Sequence, residues 1–225
     1  MKTSLAAEKV VTVAMDDSYA PYAYRKNGKA MGPYVDITKE IFKRAKIPYK
    51  IRSYPWVRTL KGAMAGKYMA SGLYYTEERA ETLDYTNAYY IEQIVVYSHK
   101  DKKFDYSGIE SLTGKTIGVR RGFSYGHIFD TARKARKFSV IELEEEKTAF
   151  KMLLAKRVDA VVAEKYVGSE ILKENGQGGM LFRYKRALAN NPIHMVVPKT
   201  PAYKGLLEKL NNVITPEFVE KAPYE

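Results

Sequence analysis

An arginine that follows a short segment of small and apolar residues is the first candidate for chemistry in this chain. Arg79 ends a Thr-x-x-Arg sequence that begins at Thr76, directly after residues 71–75. A guanidinium that a turn holds at the end of a strand can bind a carboxylate through two parallel charge-assisted hydrogen bonds. Most loop arginines are instead solvated surface charges, and Glu77 and Glu78 could neutralise this one. The segment alone leaves both interpretations open.

Further groups that could recognise a small molecule follow other predicted strands. They are aromatic rings, a second arginine, a backbone segment, a hydroxyl near a predicted helix start and an acid: Tyr19, Trp56, Arg58, Gly72, Leu73, Tyr74, Phe123, Ser124 and Glu164. One cation, one anion and aromatic walls suit a zwitterion. Each group also has a structural alternative, because Tyr19 and Trp56 could be core aromatics, Ser124 an N-cap and Glu164 an acid in the first turn of a helix.

The sequence offers little support for catalysis, metal binding or cofactor binding. It has no H-E-x-x-H zinc motif, no Walker loop and no G-x-G-x-x-G segment, and its three histidines lie far apart. The glycine-rich residues 176–179 lack the Lys-Ser/Thr pair that phosphate binding requires. The absence of cysteine excludes disulfides, thiolate nucleophiles and cysteine zinc sites. We therefore expect no catalytic residue, no metal and no cofactor.

The composition is that of a folded globular protein with an excess of positive charge. Lys and Arg number 38 against 26 Asp and Glu, which gives a net charge of +12 over 225 residues. Such a charge attracts polyanions, acidic membrane surfaces or anionic small molecules. No aromatic and basic residues are interleaved as in an RNA-recognition motif, so we expect no nucleic-acid partner. The longest apolar runs have the length of a strand and fall short of the ~20 residues that cross a bilayer.

The elements that must position the candidate groups alternate between strands and helices. Apolar periodicity predicts two such series, with strands at 10–14, 49–53 and 69–74 in the first and at 116–119, 140–143 and 159–163 in the second, each interrupted by amphipathic helices. This alternation predicts two parallel α/β units, whose loops at the carboxyl ends of the strands form a binding crevice. In the second series the predicted helices are residues 125–137, 148–156 and 165–175. The candidate groups all lie at or after the carboxyl ends of predicted strands.

Several short motifs along residues 10–214 carry a resemblance to a known family. They are Tyr19-Ala20-Pro21-Tyr22, Gly32-x-x-Val35-Asp36-Ile37, Thr76-x-x-Arg79, Tyr85-Thr86 before Tyr89-Tyr90, Leu112-x-Gly114-Lys115-Thr116-Ile117-Gly118-Val119, Gly122-Phe123-Ser124-Tyr125-Gly126 and Val158-Asp159-Ala160-Val161-Val162. In their order and spacing, the chain resembles the family 3 extracellular solute-binding proteins, which are the polar amino acid receptors of ABC importers.

The resemblance implies an α/β fold of two lobes, the type II periplasmic binding protein or Venus flytrap, with two crossing hinge strands. Lobe 1 is expected at residues 1–98 and 193–225, and lobe 2 at residues 99–192. Such lobes close on an amino acid or a related small carboxylate, which an ABC transporter permease then receives. We expect a monomer in the periplasm or outside the cell. Residues 1–4 lack the apolar segment of a signal peptide, so we expect that one has been removed.

The resemblance also implies roles for individual residues. It makes Arg79 and Ser124 the partners of the ligand carboxylate, Tyr19 a stacking surface and Glu164 the partner of the ligand ammonium group. Selectivity is expected from the aromatic and cationic side chains Tyr19, Trp56, Arg58, Phe123 and Tyr74.

Three positions depart from the family pattern. Met69 stands where the Gly-Lys-x-Asp turn usually has an acid, Tyr74 replaces a small polar residue, and Glu164 replaces the commoner aspartate. The larger ring and the longer acid leave less room for a bulky ligand side chain. Arg58 near Arg79 allows an acidic or neutral polar amino acid, and Glu164 does not exclude a basic one.

Two alternative functions on the same fold stay open. Cyclohexadienyl dehydratases resemble this family and need a general acid in the cleft, for which Glu164 is the candidate. The chain could also be the ligand-sensing domain of a receptor kinase. The sequence has no second acid close to Glu164 and no membrane segment, and both observations favour a binding protein.

Overall fold

The computed structural model describes residues 10–174, 176 and 178–221. Its strands are β1 (Val11–Asp16), β2 (Ser18–Tyr19), β3 (Ala23–Lys26), β4 (Lys29–Met31), β5 (Tyr49–Tyr54), β6 (Met69–Leu73), β7 (Leu83–Tyr85), β8 (Tyr90–His99), β9 (Thr116–Arg120), β10 (Ser139–Leu143), β11 (Ala160–Glu164), β12 (Leu181–Arg183) and β13 (Ala189–Pro198). Its α-helices are α1 (Pro33–Arg44), α2 (Trp56–Met64), α3 (Glu77–Ala80), α4 (His127–Lys134), α5 (Glu146–Leu154), α6 (Lys165–Glu174), α7 (Leu206–Asn211) and α8 (Pro216–Lys221). Within these residues, no helix combines the length and apolar character that a membrane span requires.

Three predictions from the sequence fall on residues that the structure does not describe. The segment without signal-peptide character at residues 1–4 lies outside the described residues. So do Asn175, the expected end of the helix that is now α6, and Gln177 of the glycine-rich loop.

The chain divides into two units. Unit 1 comprises the described residues up to Leu73, Glu77–Tyr89 and the described residues from His194 onward, whereas unit 2 comprises Tyr74–Thr76 and Tyr90–Ile193. The sequence led us to expect the first division after residue 98. In the structure the boundary nearest to this position falls before β8, a strand that pairs antiparallel with β11 over its second half. Tyr74 also belongs to unit 2, and its hydroxyl donates to the carboxylate of Glu92 on β8.

Unit 1 is built on a parallel sheet with β1 at its centre. β1 pairs in parallel with β5 on one side and with β6 on the other. The last part of β13 runs antiparallel beside β6. The core forms because β1 is apolar and because α1 places one face of buried side chains against the sheet: Tyr34, Val35, Ile37, Thr38, Ile41 and Phe42. The strand order of this unit is therefore β5-β1-β6-β13.

Unit 2 repeats the plan of unit 1. Its first strand, β9, pairs in parallel with β10 and β11. β8 runs antiparallel beside β11, as β13 does beside β6 in unit 1. The strand order of unit 2 is therefore β10-β9-β11-β8. In both units the first parallel strand lies between the second and the third, and an antiparallel strand lies beside the third. The repetition that the sequence predicted is observed in the structure.

A three-stranded antiparallel sheet, β2-β3-β4, has no counterpart among the elements predicted from the sequence. Lys26 pairs with Lys29 across a two-residue turn. The turn residues Asn27 and Gly28 have φ angles of 51° and 77°. An Asn-Gly pair with positive φ at both positions is the preferred turn of a tight hairpin. Apolar periodicity did not predict the hairpin, because its short strands carry mostly polar side chains.

Gly32, which precedes α1, cannot carry a side chain without local rearrangement. Its φ is 109°, and an added Cβ would lie 2.3 Å from the carbonyl oxygen of Tyr22 and 2.6 Å from that of Pro21. We expect Gly32→Ala to lower the free energy of unfolding by about 3 kcal/mol, because the backbone strain adds to a clash with main-chain atoms. Urea denaturation measures this loss.

Gly28→Ala is the matched control for Gly32→Ala. Gly28 also has a positive φ, of 77°, but an added Cβ would have no neighbour within 4 Å. Only the conformational strain applies there, so we expect a loss of about 1 kcal/mol. Equal losses in the two variants would contradict the assignment of the larger effect to the carbonyl oxygens.

Candidate functional site

The carboxyl ends of the parallel strands carry the predicted site residues of unit 1. β1 ends at Asp16, a buried acid whose Oδ1 accepts hydrogen bonds from the backbone N–H of Ser18 at 3.0 Å and from its hydroxyl at 3.3 Å. This turn leads to Tyr19, which is also buried and whose ring lies 5.8 Å from that of Tyr22. Tyr19 is therefore held by its neighbours, and it stays a proposed stacking surface.

Arg79 is buried and lies beside Trp56. Its side chain is 6% exposed, in the short helix α3, and its guanidinium carbon lies 5.7 Å from the centre of the Trp56 ring. Trp56 begins α2 at the carboxyl end of β5 and is itself buried. Burial of a guanidinium costs free energy unless charged or polar groups meet it. This arginine is not the solvated surface charge that the sequence left possible.

The remaining predicted residues of unit 1 differ in exposure. Arg58 is exposed, and its guanidinium carbon stacks 4.2 Å from the centre of the Tyr54 ring. Gly72 has a φ of 90°, and an added Cβ would meet the ring of Tyr34 at 3.5 Å. Leu73 is buried at the end of β6. The structure thus brings Arg79 and Trp56 together, whereas Arg58 stacks on the ring of Tyr54.

In unit 2, Ser124 lies in a tight loop between β9 and α4. Its hydroxyl donates to Oδ2 of Asp130 and accepts the backbone N–H of Gly126 at 3.2 Å. Phe123 is half-buried, and its ring centre lies 4.5 Å from the guanidinium carbon of Arg120. Residues 122–126 also have the G-x-S-x-G spacing of a hydrolase nucleophile elbow. Ser124 donates to a carboxylate and not to a histidine, so the Ser–His pair of such hydrolases is not found at this hydroxyl.

Glu164 ends β11 and caps the following helix. Its Oε2 accepts the backbone N–H groups of Tyr166 at 2.7 Å and Val167 at 2.9 Å. The side chain is 1% exposed, and Oε1 has no hydrogen-bond partner among the described residues. Glu164 therefore caps the helix, which was one of the two alternatives left open by the sequence, but it does so with only one carboxyl oxygen. The other oxygen is a buried acceptor.

Two buried carboxyl groups of unit 2, Glu92 and Glu146, lie close enough to Glu164 and Tyr74 to raise the pKa of both. Burial raises the pKa of Glu164 to about 8, and the charges of Glu92 and Glu146 act in the same direction. Burial also raises the pKa of Tyr74 well above its usual range, and Glu92, Glu164 and Glu146 add to that effect. Carboxylates at close range disfavour each other's ionised form. No second acid stands near Glu164 in the sequence, and the fold supplies two.

The buried polar residues of unit 2 include some that were not predicted from the sequence, among them Glu92, Arg120, Glu146 and Asn191. A signal was present for Glu92 and Arg120, since each interrupts or ends an apolar strand. Nothing in the local sequence of Glu146 or Asn191 distinguishes them from surface residues. Among the described residues, no group of three His, Cys, Asp or Glu side chains is arranged to hold a metal ion.

Comparison with known proteins places the chain among bacterial binding proteins. The model of the bacterial extracellular solute-binding proteins, family 3, matches residues 11–215. Among curated relatives, the ABC transporter arginine-binding protein 1 of Escherichia coli K12 is 26% identical over 212 residues, which cover 93% of this chain and 85% of the relative. The L-arginine-binding protein of Pseudomonas aeruginosa is 27% identical over 72% of this chain and 63% of its own length.

Solved structures show the same fold. Holo ArgBP from T. maritima superposes with a TM-score of 0.75 at 25% identity, with 94% of this chain and 93% of that one covered. A histidine kinase sensor domain with similarity to periplasmic binding proteins gives a TM-score of 0.79 at 22% identity and covers 92% and 89% of the two chains. The two-lobed periplasmic binding fold that was predicted from the sequence is thereby confirmed.

Proposed function

The chain belongs to family 3 of the bacterial extracellular solute-binding proteins, and from this premise we propose that it captures an amino acid outside the cytoplasm and delivers it to an ABC importer. The family and the relatives are binding proteins, several of them named for an amino acid that they bind. They favour binding over the dehydratase alternative. The names of the relatives make L-arginine the first amino acid to test.

The observation that carries the proposal is a pair of buried groups, a guanidinium in unit 1 and a carboxyl group in unit 2. Arg79 and Glu164 are both buried. Arg79 follows β6 in unit 1 and Glu164 ends β11 in unit 2, and each of these strands is the third parallel strand of its unit. A guanidinium suits the α-carboxylate of an amino acid, and a carboxylate suits its α-ammonium group. In the proposal, these two groups recognise the two charged ends of the ligand, and the permease accepts the ligand-bound form.

The other predicted residues have subsidiary roles in this proposal. Tyr19 and Trp56 provide aromatic surfaces, and the backbone of Gly72 and Leu73 provides polar groups near the carboxylate. Ser124 would join the carboxylate only after its hydroxyl turns away from Asp130, since a hydroxyl has a single hydrogen to donate. Arg58, Tyr74 and Phe123 are proposed to contribute to selectivity. The protein is proposed to act as a monomer.

A thermal-shift screen against the common amino acids and small carboxylates tests the proposed function. A ligand that binds only the folded state raises the melting temperature with the logarithm of its excess over Kd. We expect at least one α-amino acid to stabilise the protein, and simple carboxylates or amines to have little effect. The proposal fails if no α-amino acid stabilises the fold, or if prephenate or arogenate is converted to an aromatic product.

Amino acid binding is expected to depend on pH through Glu164. Its pKa of about 8 means that the empty site holds a proton at neutral pH, under the influence of burial, Glu92 and Glu146. Binding an ammonium group requires the ionised form, so binding releases this proton, and affinity rises as the pH rises toward 8. Between about pH 6 and about pH 8 we expect a gain of roughly 50-fold. Calorimetry in two buffers with different ionisation enthalpies counts the protons released, and an affinity that is constant over this range would contradict the prediction.

A further inference from the structure

One stretch of unit 1 carries positive charge without any acid. Residues 41–76 contain eight Lys and Arg residues and no Asp or Glu. The proposed function uses only one of these cations, Arg58, and it gives no role to the net charge of +12. The stretch is therefore a strongly charged part of the chain whose purpose is still to be explained.

Two cations of this stretch lie on the edge strand of the unit 1 sheet. Lys50, Arg52 and Tyr54 alternate along β5, so their side chains share one face of the strand. The other face carries Tyr49, whose ring lies 5.2 Å from that of Phe42 in α1. Lys50 and Arg52 are both exposed, and no strand pairs with β5 on its outer side among the described residues. The face opposite α1 is thus open and basic.

Two further cations extend this face from α2. Arg58 is exposed, and its guanidinium carbon lies 4.2 Å from the centre of the Tyr54 ring. The ring of Tyr68 lies 5.6 Å from that of Tyr54, and its hydroxyl donates to the carbonyl oxygen of Arg58 at 2.7 Å. Lys61 is also exposed, and it follows Arg58 by three residues on the same side of the helix. These four cations, Lys50, Arg52, Arg58 and Lys61, are the basic strip.

The basic strip has no acidic partner among the described residues. Its four cations form no ion pair there, whereas Arg44 at the end of α1 pairs with Glu40 at 2.7 Å. Exposed Lys and Arg side chains on an edge strand also prevent pairing with other chains. That role does not extend to the two cations of α2. Repulsion among like charges destabilises such a strip, and a surface of opposite charge removes the repulsion.

We propose that the basic strip holds unit 1 against a membrane surface that carries anionic phospholipids. The cations are exposed and spread over a strand and a helix, with Lys50 and Arg52 about 7 Å apart along β5, so they match an extended array of phosphates better than one small anion. A single-stranded nucleic acid would need open aromatic faces for stacking. Arg58 and Tyr68 already lie against the Tyr54 ring. Tyrosine rings with a polar hydroxyl suit the headgroup region of a bilayer. This inference goes beyond the proposed function.

Flotation with vesicles of phosphatidylcholine, with and without about 30 mol% phosphatidylglycerol, tests the inference. At about 50 mM salt, wild-type protein is expected to bind the anionic vesicles about 10-fold or more tightly than the neutral ones, and about 500 mM salt is expected to release it. The triple variant Lys50→Gln/Arg52→Gln/Lys61→Gln is expected to bind the anionic vesicles about 100-fold more weakly, because each Lys or Arg near an anionic bilayer contributes roughly five-fold. Arg58 is kept, since the proposed function uses it.

The matched control removes three exposed cations of unit 2 that lie on different elements, in the variant Lys102→Gln/Lys134→Gln/Lys151→Gln. Its net charge equals that of the first triple variant, and its vesicle binding is expected to stay within about three-fold of the wild type. All six positions are exposed, so both variants are expected to melt like the wild type. If a triple variant does not fold, the single variants of the strip, each with an expected loss of about five-fold, replace it.

Four results would overturn the inference. They are equal binding to both kinds of vesicle, equal losses in the two triple variants, release of the wild type by about 1 mM inorganic phosphate, and displacement from the vesicles by duplex DNA or poly-L-glutamate at an equal concentration of negative charge. Vesicle binding is measured without an amino acid, so this inference and the proposed function fail separately.

Discussion

Arg79→Ala is expected to abolish amino acid binding, with a loss of about 100-fold or more in affinity. The side chain is 6% exposed and stacks beside Trp56, so its position is defined before a ligand arrives. Alanine removes both parallel hydrogen bonds to the ligand carboxylate and leaves that carboxylate desolvated without a partner. Calorimetry with L-arginine, or with the strongest stabiliser in the thermal screen, measures the loss.

Two further variants show whether the effect belongs to the geometry of the guanidinium. Arg79→Lys keeps the charge but replaces the planar fork by a single ammonium group, so we expect an intermediate loss. Arg52→Ala removes an exposed arginine of β5 in the same unit and is expected to bind like the wild type. Undiminished affinity in Arg79→Ala, with a folded protein, would refute the carboxylate assignment.

Glu164→Gln is expected to produce the second large effect, a loss of about 30-fold to 100-fold in amino acid affinity at pH values above about 8. Glutamine keeps the shape of the side chain, and its carbonyl oxygen can still accept the N–H groups of Tyr166 and Val167 that Oε2 accepts now. The variant therefore removes the charge without removing the helix cap. Calorimetry across the pH range reports both the affinity and the number of protons released.

The pH dependence distinguishes a loss of charge recognition from a loss of structure. Glu164→Gln cannot release a proton at this position, so the rise in affinity between about pH 6 and about pH 8 should disappear with it. Glu110→Gln, on the surface of the same unit, should retain the wild-type rise. A Glu164→Gln protein that binds tightly and still releases a proton would show that the ammonium partner lies elsewhere.

The parallel strands and helices of both units were predictable because their apolar residues follow regular periods. β1, β5 and β6 in unit 1 lie within two residues of the predicted strands, as do β9, β10 and β11 in unit 2. The helix expected at residues 125–137 is shorter, as α4, because residues 122–126 form a tight loop and the left-handed Arg136, with a φ of 56°, ends the helical path early. The β3–β4 hairpin was missed although its Asn-Gly turn was visible.

The candidate site was predictable only where a residue follows a strand. Arg79 and Glu164 were predicted in this way, and the structure shows that both are buried, while their roles in binding stay a prediction. Glu92 and Asn191 were not found, because they become neighbours through the pairing of β8 with β13, nearly 100 residues apart in the chain. The burial of a charge depends on such long-range packing, and a local pattern does not record it.

The central claim is that Arg79 binds the carboxylate of the ligand. A thermodynamic cycle that combines Arg79→Ala with the removal of that carboxylate tests it most directly. Agmatine is L-arginine without its α-carboxylate and keeps both cationic groups. The account predicts that wild-type protein binds L-arginine about 100-fold or more tightly than agmatine, and that Arg79→Ala binds the two with nearly equal affinity. An equal affinity of the wild type for both ligands, or a preference for L-arginine that persists in Arg79→Ala, would contradict it.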